Sequence, residues 1–228
     1  ADTKFKILQL ENNNKLDKIH ILDTDSLNNG SGDSNVSTIV TPTSNINVDI
    51  LLVGGGGGGG AAGGGGGDVE YRANVELSSG IPYTFKVGKG GDVGNIGGPS
   101  EIVGLTSAFN VLGGGSGGGS SSATTPTASA TSGGGLVFTN PSTYHPPLAP
   151  VGKGYSGGNF YHDGESINFA GGGGGAGGPG GDASSTEPGT GGPGIYYNIT
   201  TVNTEYGKGG NSVDVGFQQP NITIRDDS

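Results

Sequence analysis

The sequence predicts an all-β protein in which antiparallel strands and hairpins combine with a packed layer of polyglycine-II-like helices, with little or no α-helix. Three observations carry this. Glycine supplies 53 of the 228 residues and gathers into long runs. Apolar segments of period two adjoin those runs with no polar spacer. A Gly-Lys-Gly turn recurs at Lys89, Lys153 and Lys208.

The runs are Gly54 to Gly60, Gly63 to Gly67, Gly113 to Gly119 with Ser116 inside, Gly133 to Gly135, and Gly171 to Gly181 with Ala176 and Pro179 inside. Glycine loses more backbone freedom on folding than any other residue and has no side chain to bury, so an ordered run needs another source of stability. A left-handed helix of three residues per turn makes no internal hydrogen bonds and points every N–H and C=O sideways. With glycine throughout, such helices approach closely enough to bond one another. The bland alternative is a flexible linker. Against it, the first run follows Ile46 to Val53 directly and Val69 to Leu77 follows the second, so strands pin both ends.

Taken in order, Lys4 to Leu10 and Lys18 to Leu22 read as an antiparallel pair, and Asp23 to Asn35 is turn chemistry. Val36 to Val40 and Ile46 to Val53 read as strands separated at Pro42. Val69, Tyr71, Ala73, Val75 and Leu77 share one face, as do Ile81, Tyr83, Phe85 and Val87, and Ser78-Ser79-Gly80 between them predicts a hairpin. After each Gly-Lys-Gly turn comes a short apolar strand, at Ser100 to Val103, Ser166 to Phe169 and Ser212 to Val215, which makes an imperfect internal repeat. Ile195 to Val202 and Asn221 to Arg225 read as closing strands. The division is an N-terminal β module over 1–45, for assembly or attachment, and a glycine-rich domain over 46–228.

With 30% hydrophobic residues a conventional core is thin for this length, so backbone hydrogen bonds must carry an unusual share of the stability. Twelve prolines without a G-X-Y period exclude collagen. No apolar stretch is long enough to span a membrane. The absence of cysteine removes disulfides and thiol catalysis, and a chain without methionine that begins at Ala1 reads as processed or truncated. A net charge of -10 argues against a nucleic-acid partner, which needs clustered Lys and Arg.

Candidate chemistry is sparse. In a phosphate-binding P-loop the lysine is followed by Ser or Thr, whereas Gly90, Gly154 and Gly209 follow these lysines, so they read as solvated turn residues. The match of Gly63 to Asp68 and Gly177 to Asp182 to a calcium-roll repeat lacks any tandem register, and Asp23-Thr24-Asp25 has no closing glutamate. His162-Asp163 near Ser166 has no nucleophile elbow. No metal, cofactor or enzymatic activity is expected. Tyr144, His145, Tyr155, Asn159, Tyr161 and His162 are the receptor-contact candidates, since aromatic and amide side chains on loops give rigid contacts at modest entropy cost; equally, they read as caps on the glycine layer. Asn35, Asn198 and Asn221 each begin an Asn-x-Ser/Thr glycosylation sequon.

The strand and glycine run from Val48 to Gly60, the segment Ser79 to Gly91, the step Gly98-Pro99-Ser100 and the run Gly171 to Gly178 resemble the glycine-rich domain of viral and phage fibre proteins. They are also similar to the tail-tip adhesins of T-even-like phages, in which polyglycine-II helices pack into a sandwich and loops between them contact host receptors. The likeness covers roughly Ile46 to Gly210 and implies receptor-facing loops at Ser120 to Ser132, Thr139 to Tyr155 and Asn159 to Glu165. The β-rich segment Thr3 to Val40 and the long closing strands depart from that pattern. The resemblance implies a fibre-tip or decorating protein on a virion surface or in extracellular space. Its expected partners are a host receptor, protein or glycan, and other virion proteins, with homo-oligomers. The alternative is a structural subunit of a capsid or extracellular fibril in which the glycine layer mediates packing.

Overall fold

The structure, a computed structural model, describes residues 4–11, 15–23, 36–118, 150, 153–163, 168–199 and 202–213. It is all-β, with no α-helix among the described residues. The strands are β1 (Lys4–Glu11), β2 (Lys15–Asp23), β3 (Val36–Val40), β4 (Ile46–Val53), β5 (Val69–Leu77), β6 (Tyr83–Val87), β7 (Ser100–Val103), β8 (Phe109–Val111), β9 (Tyr161–His162), β10 (Asn168–Phe169), β11 (Ile195–Tyr197) and β12 (Thr204–Tyr206). Two four-stranded antiparallel sheets run β2-β1-β4-β5 and β3-β6-β7-β8, and β9-β10 and β11-β12 are two-stranded. The boundary at residue 45 falls between β3 and β4, and both large sheets take strands from each side of it.

β4 organises the apolar core because both its faces are covered. Val48, Ile50 and Leu52 pack with Leu77 of β5 against Tyr83, Phe85, Val87, Ile102, Phe109 and Val111 of the other sheet. On its opposite face, Leu51 and Val53 join Val69, Ala176 and Tyr206, with Ile195 and Tyr197 of the β11-β12 pair packed alongside. A strand buried on both faces reads as a continuous apolar run rather than an alternation, as Ile50 to Val53 does.

The expected hairpin between β5 and β6 does not form. β5 pairs with β4 and β6 pairs with β3, so the chain crosses from one sheet to the other over 78–82. Gly80 takes the positive φ that its turn requires, 76°, but its N–H donates to Pro42 O at the neighbouring corner. Both strands carry an apolar face, and setting the two faces opposite each other buries more than setting the strands side by side. The single face assigned to β5 is also corrected. Register shifts between Val48 and Ile50, so Ala73 and Asn74 together oppose Asp49 in a bulge. Val75 and Leu77 therefore join the inter-sheet core, whereas Val69 lies on the other side.

The glycine runs form a hydrogen-bonded lattice. In the run 54–60, Gly54, Gly57 and Gly60 donate to the run 62–68, at Asp68 O, Gly65 O and Ala62 O, whereas Gly55 and Gly58 donate to Gly98 O and Asn95 O. In the run 62–68, Ala62, Gly65 and Asp68 donate to Gly118, Gly115 and Leu112, whereas Gly63 and Gly66 donate to Gly171 and Gly174. Donors that change neighbour at every residue and return to the same one every third are what three residues per turn dictates. Among the described glycines only Gly80, Gly94, Gly104 and Gly207 have positive φ, so handedness does not demand glycine in the rest of the lattice. Close approach does: a Cβ on Gly58 would lie 1.8 Å from Asp92 O, and one on Gly67 would lie 2.0 Å from Gly54 O.

The Gly-Lys-Gly segments at Lys89 and Lys208 join the lattice rather than forming isolated turns. Gly91 N–H donates to Gly56 O, Gly209 N–H to Gly192 O and Gly210 N–H to Gly64 O. Ser212, expected to open a strand, instead closes the lattice, with its hydroxyl 2.6 Å from Ala170 O and 2.7 Å from Gly189 O. The strands expected at Ser166–Ile167, Val215 and Asn221–Arg225, and the run at Gly133–Gly135, lie outside the described residues.

Candidate recognition surface

Each lattice run has a strand end and a distal end, fixed by its bonds. The run 54–60 leaves β4, turns at Ala61 and Ala62, and returns into β5. The run 112–118 leaves β8 and reaches Ala62, whose N–H donates to Gly118 O. The run 207–212 leaves β12 and brings Val213 N–H to Ala61 O. In the opposite sense, the run that starts at Ala170 packs distally with Ala61 and Ala62 and ends at Ala176 in the β4-β5 core. Gly189 N–H donates to Ala170 O, so the run 189–194 also starts distally and ends in β11.

Several described segments therefore meet on one surface: the end of the run at Gly118, the β9-β10 pair before Ala170, the turn 184–187, and Val213. Side chains stiffen this surface. Asp182 Oδ1 accepts from Asn159 N–H at 2.6 Å and from Asn159 Nδ2 at 3.1 Å, while Ala183 N–H donates to Asn159 O at 2.8 Å. In the turn 184–187, Ser184 Oγ accepts from the N–H groups of Thr186 and Glu187, and Ser184 N–H donates to Glu187 O. These are local hydroxyl turns of the kind that fix a tight loop without secondary structure.

The structure brings three of the expected contact residues to this distal surface and separates a fourth. Asn159 is exposed there, and Tyr161 and His162 are half-buried in β9, paired with Phe169 and Asn168. Tyr155 is exposed but sits toward the strand end, its N–H donating to Gly175 O. Four residues at about 3.1 Å each put it about 12 Å along its run from Asn159. Tyr144 and His145 lie outside the described residues, as do Asn35 and Asn221; Asn198 is exposed just after β11. Sequence reasoning weighed Asp182 only as part of a calcium-roll match and passed over Ser184; the signal for both was a polar residue placed where a glycine run ends.

The three repeat lysines all bind carboxylates. Lys89 meets Asp92 at 3.1 Å, Lys153 meets Glu70 at 2.8 Å and Lys208 meets Glu205 at 3.8 Å. Glu70 also receives Arg72 Nε at 2.9 Å. Burial pushes the Glu70 carboxyl up, but the hydrogen bonds from Lys153 and Arg72 outweigh it and hold the group below its ordinary value. Its neighbour Asp68 is buried where the glycine run enters β5, and that burial raises its carboxyl despite a 2.9 Å bond from Val69 N–H. No cluster of three or more metal-ligating side chains occurs among the described residues.

The chain belongs to the glycine-rich domain family, which matches residues 31–222. No curated protein and no solved structure gives a significant match.

Proposed function

We propose that this protein is a non-enzymatic fibre-tip or decorating protein of a virion surface, or an extracellular counterpart, which presents loops for attachment to a host surface. The observation that supports the reading is the common distal surface. The β sandwich anchors the lattice runs at one end, and the connections at the other end carry exposed amide and half-buried aromatic side chains braced by Asp182 and Ser184. A stiff platform lowers the entropy lost by loops on binding. The receptor is a protein or glycan of the host surface, and self-association or contact with other virion proteins would supply avidity.

The test measures binding of the purified, labelled chain to intact cells of a broad microbial and animal panel, beside its oligomeric state by sedimentation. Saturable cell binding that Tyr161→Ala reduces, at unchanged melting temperature, supports attachment. Polymerisation without cell binding overturns it in favour of a capsid or fibril subunit, which the outer edges of β5 and β8, terminal in their sheets among the described residues, would serve.

A further inference from the structure

A groove of about 600 Å³ lies on the β-sandwich, away from the distal surface. One wall is β5 from Arg72 to Glu76 with Ser78 just beyond it, and the other is the β7-β8 connection from Gly104 to Ser107. We propose that this groove is a second binding site, selective for a neutral, hydroxyl-rich ligand of the size of a mono- or disaccharide. The inference does not rest on the distal surface or on attachment through it.

The groove exists because of the bulge. β5 is the last strand of its sheet among the described residues, so its outer edge has no neighbouring strand there. Where Ala73 and Asn74 oppose Asp49, Asn74 adopts φ 56°, a left-handed conformation uncommon for a residue with a side chain. That conformation is held from behind. Asp49 Oδ1 accepts from Asn74 N–H at 2.9 Å, and Asp49 Oδ2 accepts from Tyr71 OH at 2.9 Å. Strained residues fixed in this way, and bulges beside clefts, recur at ligand sites because they aim a side chain that a regular strand would turn aside. The volume falls within the range of about 300–1,000 Å³ usual for small-molecule sites.

The lining decides the ligand class. Asn74 offers both an amide donor and an acceptor, Glu76 offers acceptors, Thr106 and Ser78 offer hydroxyls of both kinds, and Ser107, whose Oγ accepts from Arg72 Nη1 at 3.4 Å, keeps its O–H as a donor. A polyol, in which each hydroxyl donates and accepts, is the matching partner. An anion is not. The one cation among the lining residues, Arg72, is already committed: its Nε meets Glu70, one terminal nitrogen donates to Ala108 O at 3.0 Å, and its guanidinium stacks 4.0 Å from the Phe109 ring centroid. Glu76 adds negative charge to the wall, its Oε1 accepting a long 3.4 Å bond from Asn45 Nδ2.

The test is amide NMR of the full chain titrated separately with glucose, galactose, N-acetylglucosamine and lactose, and with N-acetylneuraminic acid as anionic probe. At least one neutral sugar is expected to give saturable shifts confined to residues 72–78 and 104–107. Asn74→Gly keeps the left-handed backbone without strain while removing the amide. It and Glu76→Ala should each weaken binding about tenfold at unchanged melting temperature. No saturable shift with any neutral sugar overturns the proposal, as do shifts located elsewhere. So does tighter binding of N-acetylneuraminic acid, or unaltered affinity in both variants.

Discussion

Gly57→Ala tests whether the lattice, rather than the apolar core alone, holds this protein together. A methyl group on Gly57 would lie 2.0 Å from Gly115 O and 2.5 Å from its carbonyl carbon, where ordinary contact begins near 3.4 Å. The run 112–118 must therefore retreat from the run 54–60 by more than an ångström. That retreat stretches Gly114 N–H to Gly55 O and Gly117 N–H to Gly58 O, now 2.8 and 2.9 Å, beyond hydrogen-bonding range. Two lost bonds cost about 1 kcal/mol each, and the forced displacement costs about 1–3 kcal/mol more. A total of about 3–5 kcal/mol is a large part of a typical domain's stability of about 5–15 kcal/mol. For a chain of this length each kcal/mol moves the melting temperature by about 2–4 °C, so the variant should melt roughly 6–20 °C lower. Gly59→Ala is the internal control. There the nearest atom to the added Cβ is 3.6 Å away and φ is not positive, so the change should stabilise by about 0.4–1 kcal/mol through the unfolded chain. Thermal unfolding of the two variants side by side should give shifts of opposite sign. Equal melting temperatures would mean that the glycines are tethers and that the packing argument is wrong.

Two further outcomes follow from the junction of strand and lattice. At the bulge, Asp49→Ala removes the acceptor for both Asn74 N–H and Tyr71 OH and should cost about 1–3 kcal/mol in urea unfolding, whereas Asn74→Gly should cost little because glycine adopts positive φ freely. A larger loss in Asn74→Gly than in Asp49→Ala would refute the account of the bulge. The second outcome is a pair of opposite pH profiles. Asp68 is raised, chiefly by burial, so the folded state holds its proton more tightly than the unfolded chain does. Its contribution is full below the ordinary value of 3.8 and is lost as pH rises through the raised folded value. Asp68→Asn should therefore melt higher than the parent at neutral pH and lose that advantage in acid. Glu70 is held low by Lys153 and Arg72 against its burial, so its contribution is present above 4.5 and lost as pH falls through the lowered folded value. Glu70→Gln should melt lower at neutral pH and match the parent in acid; melting curves across pH that fail to diverge in opposite directions would count against both assignments.

The long glycine runs were legible because at most one or two other residues interrupt each of them and strands pin the ends of the first two. What decided membership of the lattice elsewhere was not composition. Asn95 to Gly98, Tyr155 to Asn159 and Thr190 to Gly194 are short and mixed, yet they bond the long runs, because only the residues that face a neighbour need to lack a Cβ. Tyr155, Asn95 and Thr190 turn their side chains outward, so their segments carry no local signature of helix or strand. The β5-β6 hairpin failed for a related reason. Two amphipathic strands joined by a glycine turn fit side-by-side pairing and face-to-face packing equally well, and it is the return of the run 62–68 alongside 54–60, which brings β5 beside β4, that selects the second. Asn74 announced nothing either, since an Asn between Ala73 and Val75 reads as an ordinary outward strand position until Asp49 is placed behind it. On the distal surface, the aromatic and amide residues were visible as residue types. Their separation into Tyr155 at one end and Asn159, Tyr161 and His162 at the other depends on the direction of one lattice run, which spacing alone does not give.

The lattice and the sandwich are covalently interleaved in a way that makes them one cooperative unit. β4 runs straight into 54–60, β6 into 88–92, β8 into 112–118 and β12 into 207–212, while 62–68 feeds β5 and 189–194 feeds β11. A glycine helix without internal hydrogen bonds has no stability of its own, so a run can form only where neighbours already stand at bonding distance. The sandwich supplies that condition by fixing the starting positions of several runs at once. In return, the lattice closes the core: Ala176 of the glycine run 170–178 fills the second face of β4, and Ser100 Oγ donates to Val53 O at 2.6 Å and accepts from Gly88 N–H at 2.9 Å where strands become lattice. Loss of either half would leave the other with unpaired buried backbone groups, each costing more than the hydrogen bond it replaces. That coupling explains how a chain with so few apolar residues sustains a folded body.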